Sequence, residues 1–224
     1  MKENISEKAA KIIEQLPRGV SLEAACKNRK AEEIQEAVDA GVKILGQNYI
    51  QQARDTYDNV RGDISWHFIG HLQRNKVKYA VKIFDMIESL DSIRLARELN
   101  KRCAKEERTI NCLVEINSAK EENKYGILPE NTVEFVKEAA RFENIKIKGL
   151  MTMGALSGTP EEFRPYFRTV KNLFYKLREM SIEGVEMKVL SMGMSASYKT
   201  AIEEGANLVR IGTSIFGPRQ ERQE

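Results

Sequence analysis

Eight short apolar runs, each followed by a more polar stretch, constrain this chain more than any other feature. The runs are residues 20–26, 43–46, 66–69, 86–90, 111–116, 145–153, 186–191 and 208–211. Helical spacing fills residues 32–40, 92–106, 132–142, 161–180 and 198–204 between them. A strand that feeds a helix returns beside its neighbour in the same direction, so repeated strand–helix units build a parallel sheet. Eight such units with right-handed crossovers close on themselves, and the fold class predicted is α/β, a single (β/α)8 TIM barrel. The 224 residues suit one barrel of about 200–250 residues, giving one domain over 1–224. Residues 1–17 form an extra N-terminal helix packing on the barrel, with Ile5, Ala9, Ile12, Ile13 and Leu16 on one face and Pro17 and Gly19 as its stop.

Composition excludes several functions. Hydrophobic residues make up 42% and charged residues 31%, as in a globular protein and not a disordered one. A net charge of +3 gives no reason to expect nucleic acid. No apolar run reaches the ~20 residues of a membrane helix, and the charged N-terminus lacks a signal-peptide core. Cys26, Cys103 and Cys112 fit neither a disulfide framework nor a paired metal spacing, which points to reduced thiols and a cytoplasmic location.

In a barrel of this type, function gathers at the C-terminal ends of the strands. Those ends carry Lys27, Asn48, His71, Ser89, Asn117, Met151–Thr152, Ser191–Ser195 and Arg210–Thr213, a set rich in amine, amide and hydroxyl groups. The last two are the most informative. V-L-S-M-G-M-S and L-V-R-I-G-T-S-I-F-G both end apolar runs in glycine and hydroxyls. Glycine lets several N–H groups turn toward one ligand, and Ser191, Ser195, Thr213 and Ser214 add donors for anionic oxygen. Loops after the last two strands of such barrels commonly bind phosphate.

A lysine across from a phosphate cradle has a specific chemical use. Pyridoxal 5′-phosphate (PLP) needs an anion site at one end and a primary amine at its aldehyde, and Lys27 ends the first strand beside small Ala25 and Cys26. Cys26 reads as a small buried spacer. Arg210, within an apolar strand, needs a partner. It binds the phosphate, faces the pyridine nitrogen and keeps it unprotonated, or forms a structural ion pair. Asn48 and Asn117 are pocket donors or helix caps. His67 and His71 lie four apart, but no third metal ligand is evident, so no metal is expected. Met151 and Met153 pack on a flat ring or fill core gaps.

The runs A-A-C-K, G-Q-N-Y, H-F-I-G-H-L-Q-R-N-K, K-Y-G-I, G-L-M-T-M-G, S-M-G-M-S and V-R-I-G-T-S-I-F-G resemble the pyridoxal phosphate homeostasis protein family, from about residue 20 to Gly217. The resemblance implies a barrel like the N-terminal domain of alanine racemase. It puts Lys27 on the Schiff-base lysine, and Ser191, Gly212 and Thr213 on phosphate contacts, with Ser195 in the same motif. It further puts Arg210 near the pyridine nitrogen and Asn48 in the pocket, and Met151 is included among the cofactor-binding residues. Three positions depart from the family: Cys26 where serine is usual, Gln47 where glutamate is usual, and Ser197 where an acid follows the S-M-G-M-S motif.

The function expected is PLP binding for vitamin B6 homeostasis, with PLP as a Schiff base on Lys27, little catalysis, and transfer to PLP-dependent apo-enzymes. With no appended domain in the sequence to supply a second base, a monomer is expected, with neither nucleic acid nor membrane as partner. The alternatives are a PLP-dependent amino-acid racemase or lyase, and a phosphate-binding barrel without PLP.

Overall fold

The computed structural model describes residues 4–154 and 158–218. Eight parallel strands close into a barrel in sequence order. They are β1 (Ser21–Ala25), β2 (Ile44–Gln47), β3 (Ser65–Phe68), β4 (Met86–Leu90), β5 (Ile110–Glu115), β6 (Ile145–Thr152), β7 (Val185–Met192) and β8 (Leu208–Ile211). The α-helices are α1 (Ile5–Gln15), α2 (Ala31–Asp39), α3 (Ile50–Tyr57), α4 (Val77–Ile83), α5 (Ile93–Lys105), α6 (Thr132–Ala139), α7 (Pro160–Glu179), α8 (Tyr198–Glu203) and α9 (Thr213–Phe216). Among the described residues none is long and apolar enough to cross a membrane.

Both faces of each strand are covered, which is why the strands read as near-continuous apolar runs. The main core lies between strands and helices, around Phe68, Phe84, Leu90, Leu99, Phe167 and Val170. A smaller cluster of Met86, Leu113 and Met151 fills the lower barrel interior. The extra helix α1 starts at a capping box, Asn4 with Glu7, and buries Ala9 and Ile12. The Ser6 N–H donates to Glu36 of α2, fastening α1 to the outer ring.

Two devices set the mouth. Thr159 caps α7 with Glu162, and Pro160 occupies its first turn, where no N–H is needed. From α7, Arg164 and Arg168 both reach Glu204 at 3.2 and 2.8 Å, anchoring the end of α8 and so the turn that precedes it. Closure comes where β1 meets β8, pairing Glu23 with Arg210 and Ala24 with Ile211.

Candidate functional site

Lys27 leaves the sheet two residues beyond the last residue of β1. The Cys26 N–H still donates to the Gly46 carbonyl at 2.8 Å, so sheet pairing continues up to the lysine, which is half-buried at the rim. The Cys26 thiol is fully buried and donates to the Ala24 carbonyl at 3.0 Å; burial pushes it far above the ordinary thiol range. That makes it a spacer rather than a nucleophile. Gln47, also fully buried, donates to the Cys26 carbonyl at 3.4 Å. Asn48 follows it on the rim, and its Oδ1 is buried without a hydrogen-bond partner among the described residues.

The β7 and β8 ends form a joined cradle. The Gly193 carbonyl accepts from the Arg210 N–H at 3.0 Å, and Ser195 Oγ accepts from the Ser214 N–H at 3.4 Å. Gly193 sits at φ +88°, and a Cβ there would lie 2.6 Å from the Ala201 Cβ and 2.8 Å from the Tyr198 Cα. No other residue fits that turn without moving α8. Ser197, where the family carries an acid, accepts from the Met194 N–H at 3.2 Å and so holds the same turn. Gly212 lies against β1, where a Cβ would stand 3.2 Å from the Ala25 carbonyl. Thr213 and Ser214 are exposed beyond it. Glycine-tightened turns with rim hydroxyls at two adjacent strand ends suit an anionic oxygen cluster.

Below the mouth lies a charged floor. Arg210, 2% exposed, donates to Ser191 Oγ and, at 2.8 Å, to the Thr152 carbonyl. Ser191 donates to Glu88 at 2.6 Å, and His67 Nδ1 bonds the other Glu88 oxygen at 2.7 Å. Burial pushes the Glu88 carboxyl up, but His67, Arg210 and Ser191 outweigh it and hold it below the usual range. Glu23 is fully buried beside them, and one ligand atom from each of Glu23, His67 and Glu88 lies within 4.8 Å of the others. Burial, then the charge of Glu88, raises Glu23 well above the carboxylate range, with Arg210 opposing. Neither Glu23 oxygen has a hydrogen-bond partner among the described residues. The surroundings of Glu23 therefore favour its protonated form, while those of Glu88 favour the carboxylate, which faces Arg210 at 3.9 Å.

Ser191, expected at the phosphate, has its hydroxyl committed to this floor. Met151 is fully buried against Met86 and Leu113, while Met153, two residues on, faces the mouth and touches Arg210 at 3.5 Å through sulfur. His67 and His71 separate: His71 bonds Asp91 at 3.2 Å and stacks on Tyr125. Asn117 caps its own loop, with Oδ1 accepting from the Glu121 N–H and Nδ2 donating to the Glu121 carbonyl.

The mouth itself holds a cavity of about 290 Å³, lined among others by Asn48, His71, Glu115, Tyr125, Met153 and Met194. Glu115 ends β5 there, and burial, then Asp91, push its carboxyl up to about 7 against Arg210 and Lys124. Glu23, Glu88 and Glu115 went unnoticed in the sequence, although a single acid in each of L-E-A-A, I-E-S-L and V-E-I-N was the available signal.

Fold and site together define a (β/α)8 barrel whose last two strands end in glycine-tightened, hydroxyl-bearing turns beside a lysine just past the first. The alanine racemase N-terminal domain model matches residues 3–220. A pyridoxal phosphate homeostasis protein of Aquifex aeolicus is 40% identical over 221 residues, covering 96% of each chain. One from Escherichia coli is 32% identical over 91% of this chain and 87% of its own length. The PLP-bound structure of PipY from Synechococcus elongatus superposes with a TM-score of 0.88 at 31% identity, covering 96% of this chain and 100% of PipY. Alanine racemase of Clostridium difficile, 16% identical, shares the fold at a TM-score of 0.82 over 98% of this chain and 58% of its own. The chain belongs to the pyridoxal phosphate homeostasis protein family, within the alanine racemase N-terminal-domain fold.

Proposed function

We propose that this protein binds PLP through a Schiff base on Lys27 and holds it for vitamin B6 homeostasis, passing it to PLP-dependent apo-enzymes without substantial turnover of its own. One observation carries the reading. Gly212 of the cradle packs on Ala25, two residues before Lys27, so the amine and the anion site sit on neighbouring strands. A small molecule with an aldehyde and a phosphate can engage both ends at once. When bound, PLP supplies an electrophilic carbon to amines; the protein's own residues fix its orientation.

In this arrangement Ser195, Gly212 and Thr213 hold the phosphate, and Asn48 and Met153 border the ring. Ser191 acts one step removed, by fixing Arg210. Arg210 cannot give up its proton at working pH, so facing the ring nitrogen it leaves that nitrogen without one. That weakens the electron withdrawal on which amino-acid chemistry depends, in keeping with a carrier. Relatives named for homeostasis, and PLP in the PipY structure, support the reading. A monomer in the cytoplasm is part of the same proposal.

Purified protein mixed with PLP should develop a visible-edge absorption band that borohydride fixes onto the Lys27 peptide. Lys27→Ala should lose both. A reducible adduct on another lysine would overturn the assignment, and amino-acid racemisation at ~1 per second or faster would make the protein an enzyme.

A further inference from the structure

The mouth cavity is asymmetric in its chemistry. Its deep side presents acceptors: the Glu115 carboxylate, which no hydrogen bond reaches among the described residues, and Asn48 Oδ1, buried and unpartnered. Apolar and aromatic groups make up much of the remaining wall, from Ile69, Met153 and Met194 to the His71–Tyr125 stack with ring centroids 3.6 Å apart, together with Asn123 and with Asn117, whose amide is taken up by Glu121. The lining carries one ammonium, Lys124, and it is already spent on the Gly154 carbonyl at 2.9 Å and Glu121 at 3.0 Å. Arg210 below is likewise committed to Ser191 and Thr152. The cavity therefore asks for a ligand that brings N–H donors and positive charge on an apolar stem. Among the described residues its lining offers no spare cation for a carboxylate beside that amine.

We propose that this cavity is a subsite for a protonated primary alkylamine, such as a lysine side chain, held by Glu115 and Asn48, and that it discriminates against α-amino acids. Tyr125, 57% exposed, marks the side from which such a chain enters. The subsite deepens the proposed function, and rests on it only for the use made of the bound amine: a lysine side chain is the group to which a PLP carrier delivers.

Burial and three charged groups set the titration of Glu115: Asp91 just past β4 raises it, while Arg210 from β8 and Lys124 in the loop after β5 lower it; His71 faces the same cavity from its wall. With its carboxyl near 7, Glu115 is half ionised at neutral pH before any amine arrives. An ammonium in contact favours the ionised form and draws the carboxyl down by one unit or more, about what a single opposite charge does at such range. Alkylamine affinity should therefore climb about five- to tenfold from pH 6 to pH 8, as the ionised fraction of Glu115 rises.

The test uses the full chain without PLP, labelled with ¹³C at glutamate carboxyls, titrated with n-butylamine and separately with L-alanine. The expected result is a lowered Glu115 midpoint with n-butylamine, no change with L-alanine, and at least tenfold weaker n-butylamine binding in Glu115→Gln. An unmoved Glu115 signal, or L-alanine binding as tightly as n-butylamine, overturns the proposal. The wild-type signal alone decides if Glu115→Gln fails to fold. PLP added to a second sample that holds no amine reads Lys27 separately: a chain that takes up n-butylamine in the first sample but never colours in the second sinks the PLP reading and leaves this one standing.

Discussion

Glu23 and Glu88 lie side by side beneath the mouth, yet their surroundings push the two carboxyls in opposite directions. Glu88 bonds a hydroxyl and an imidazole and has a guanidinium at 3.9 Å, whereas Glu23, close to the same groups, has no hydrogen-bond partner among the described residues and lies against Gly46. A Cβ on Gly46 would sit 2.1 Å from Glu23 Oε1, so the carboxyl has been fitted into space that only glycine leaves. Gln is the isostere of a protonated Glu, so Glu23→Gln should match the urea stability of the parent near pH 4 and exceed it at pH 7. Glu88→Gln removes the anion that balances Arg210 and should cost about 3–5 kcal/mol in the same measurement. The two acids also have opposite pH signatures. The raised Glu23 contributes stability that is present below the unfolded value near ~4.3 and lost as pH rises through its folded value. Glu23→Gln should thus show a flatter decline in stability above pH 5 than the parent. Glu88, held low, contributes stability above the unfolded value that is lost as pH falls.

The cradle depends on how tightly β7 turns into α8. Gly193→Ala places a methyl against Ala201 and Tyr198 at a backbone angle that L-residues avoid, so α8 must shift outward. The expected outcome is about 1–3 kcal/mol of lost stability together with weaker PLP uptake, read by urea unfolding and by the absorption band. Ser197→Ala removes only the Met194 N–H acceptor and should cost about 1 kcal/mol at most. Strand positions were well marked in the sequence: β4 and β8 begin and end where their apolar runs do, because turn residues bound them. Helix α3 was not picked out, since I-Q-Q-A-R-D-T-Y carries too few apolar residues, and α9 is too short for any period. What no apolar run reveals is which side chains point inward. A strand covered on both faces reads as apolar throughout, so the inward turn of Ser191, Glu23, Glu88 and Glu115 needed the closed barrel to become visible.

Across the whole barrel the ladders are unequal. β5 and β6 pair through six residues, whereas β7 and β8 share one register pair, Ser191 with Leu208, extended by the Arg210 N–H on the Gly193 carbonyl. β8 is held better on its other side, through four pairs with β1. Asn207 adds bonds to Leu190 and Lys188, but with the fewest register pairs the seam between β7 and β8 is where this barrel should open most readily, and it is the seam the proposed cradle spans. A ligand tied to Lys27 beyond β1 and gripped by the turns after β7 and β8 closes that seam from above. Openings that require its release become rarer by the factor one plus its concentration over Kd, about 100-fold at 100 times Kd. Amide exchange in residues 190–193 and 208–213 should slow by that order on adding PLP, while β4 through β6 change little. Pyridoxal, which has the aldehyde and no phosphate, should protect far less, because it engages one side of the seam alone. Equal slowing throughout the sheet would mean that the ligand stabilises the barrel as a unit and that the seam has no special weakness.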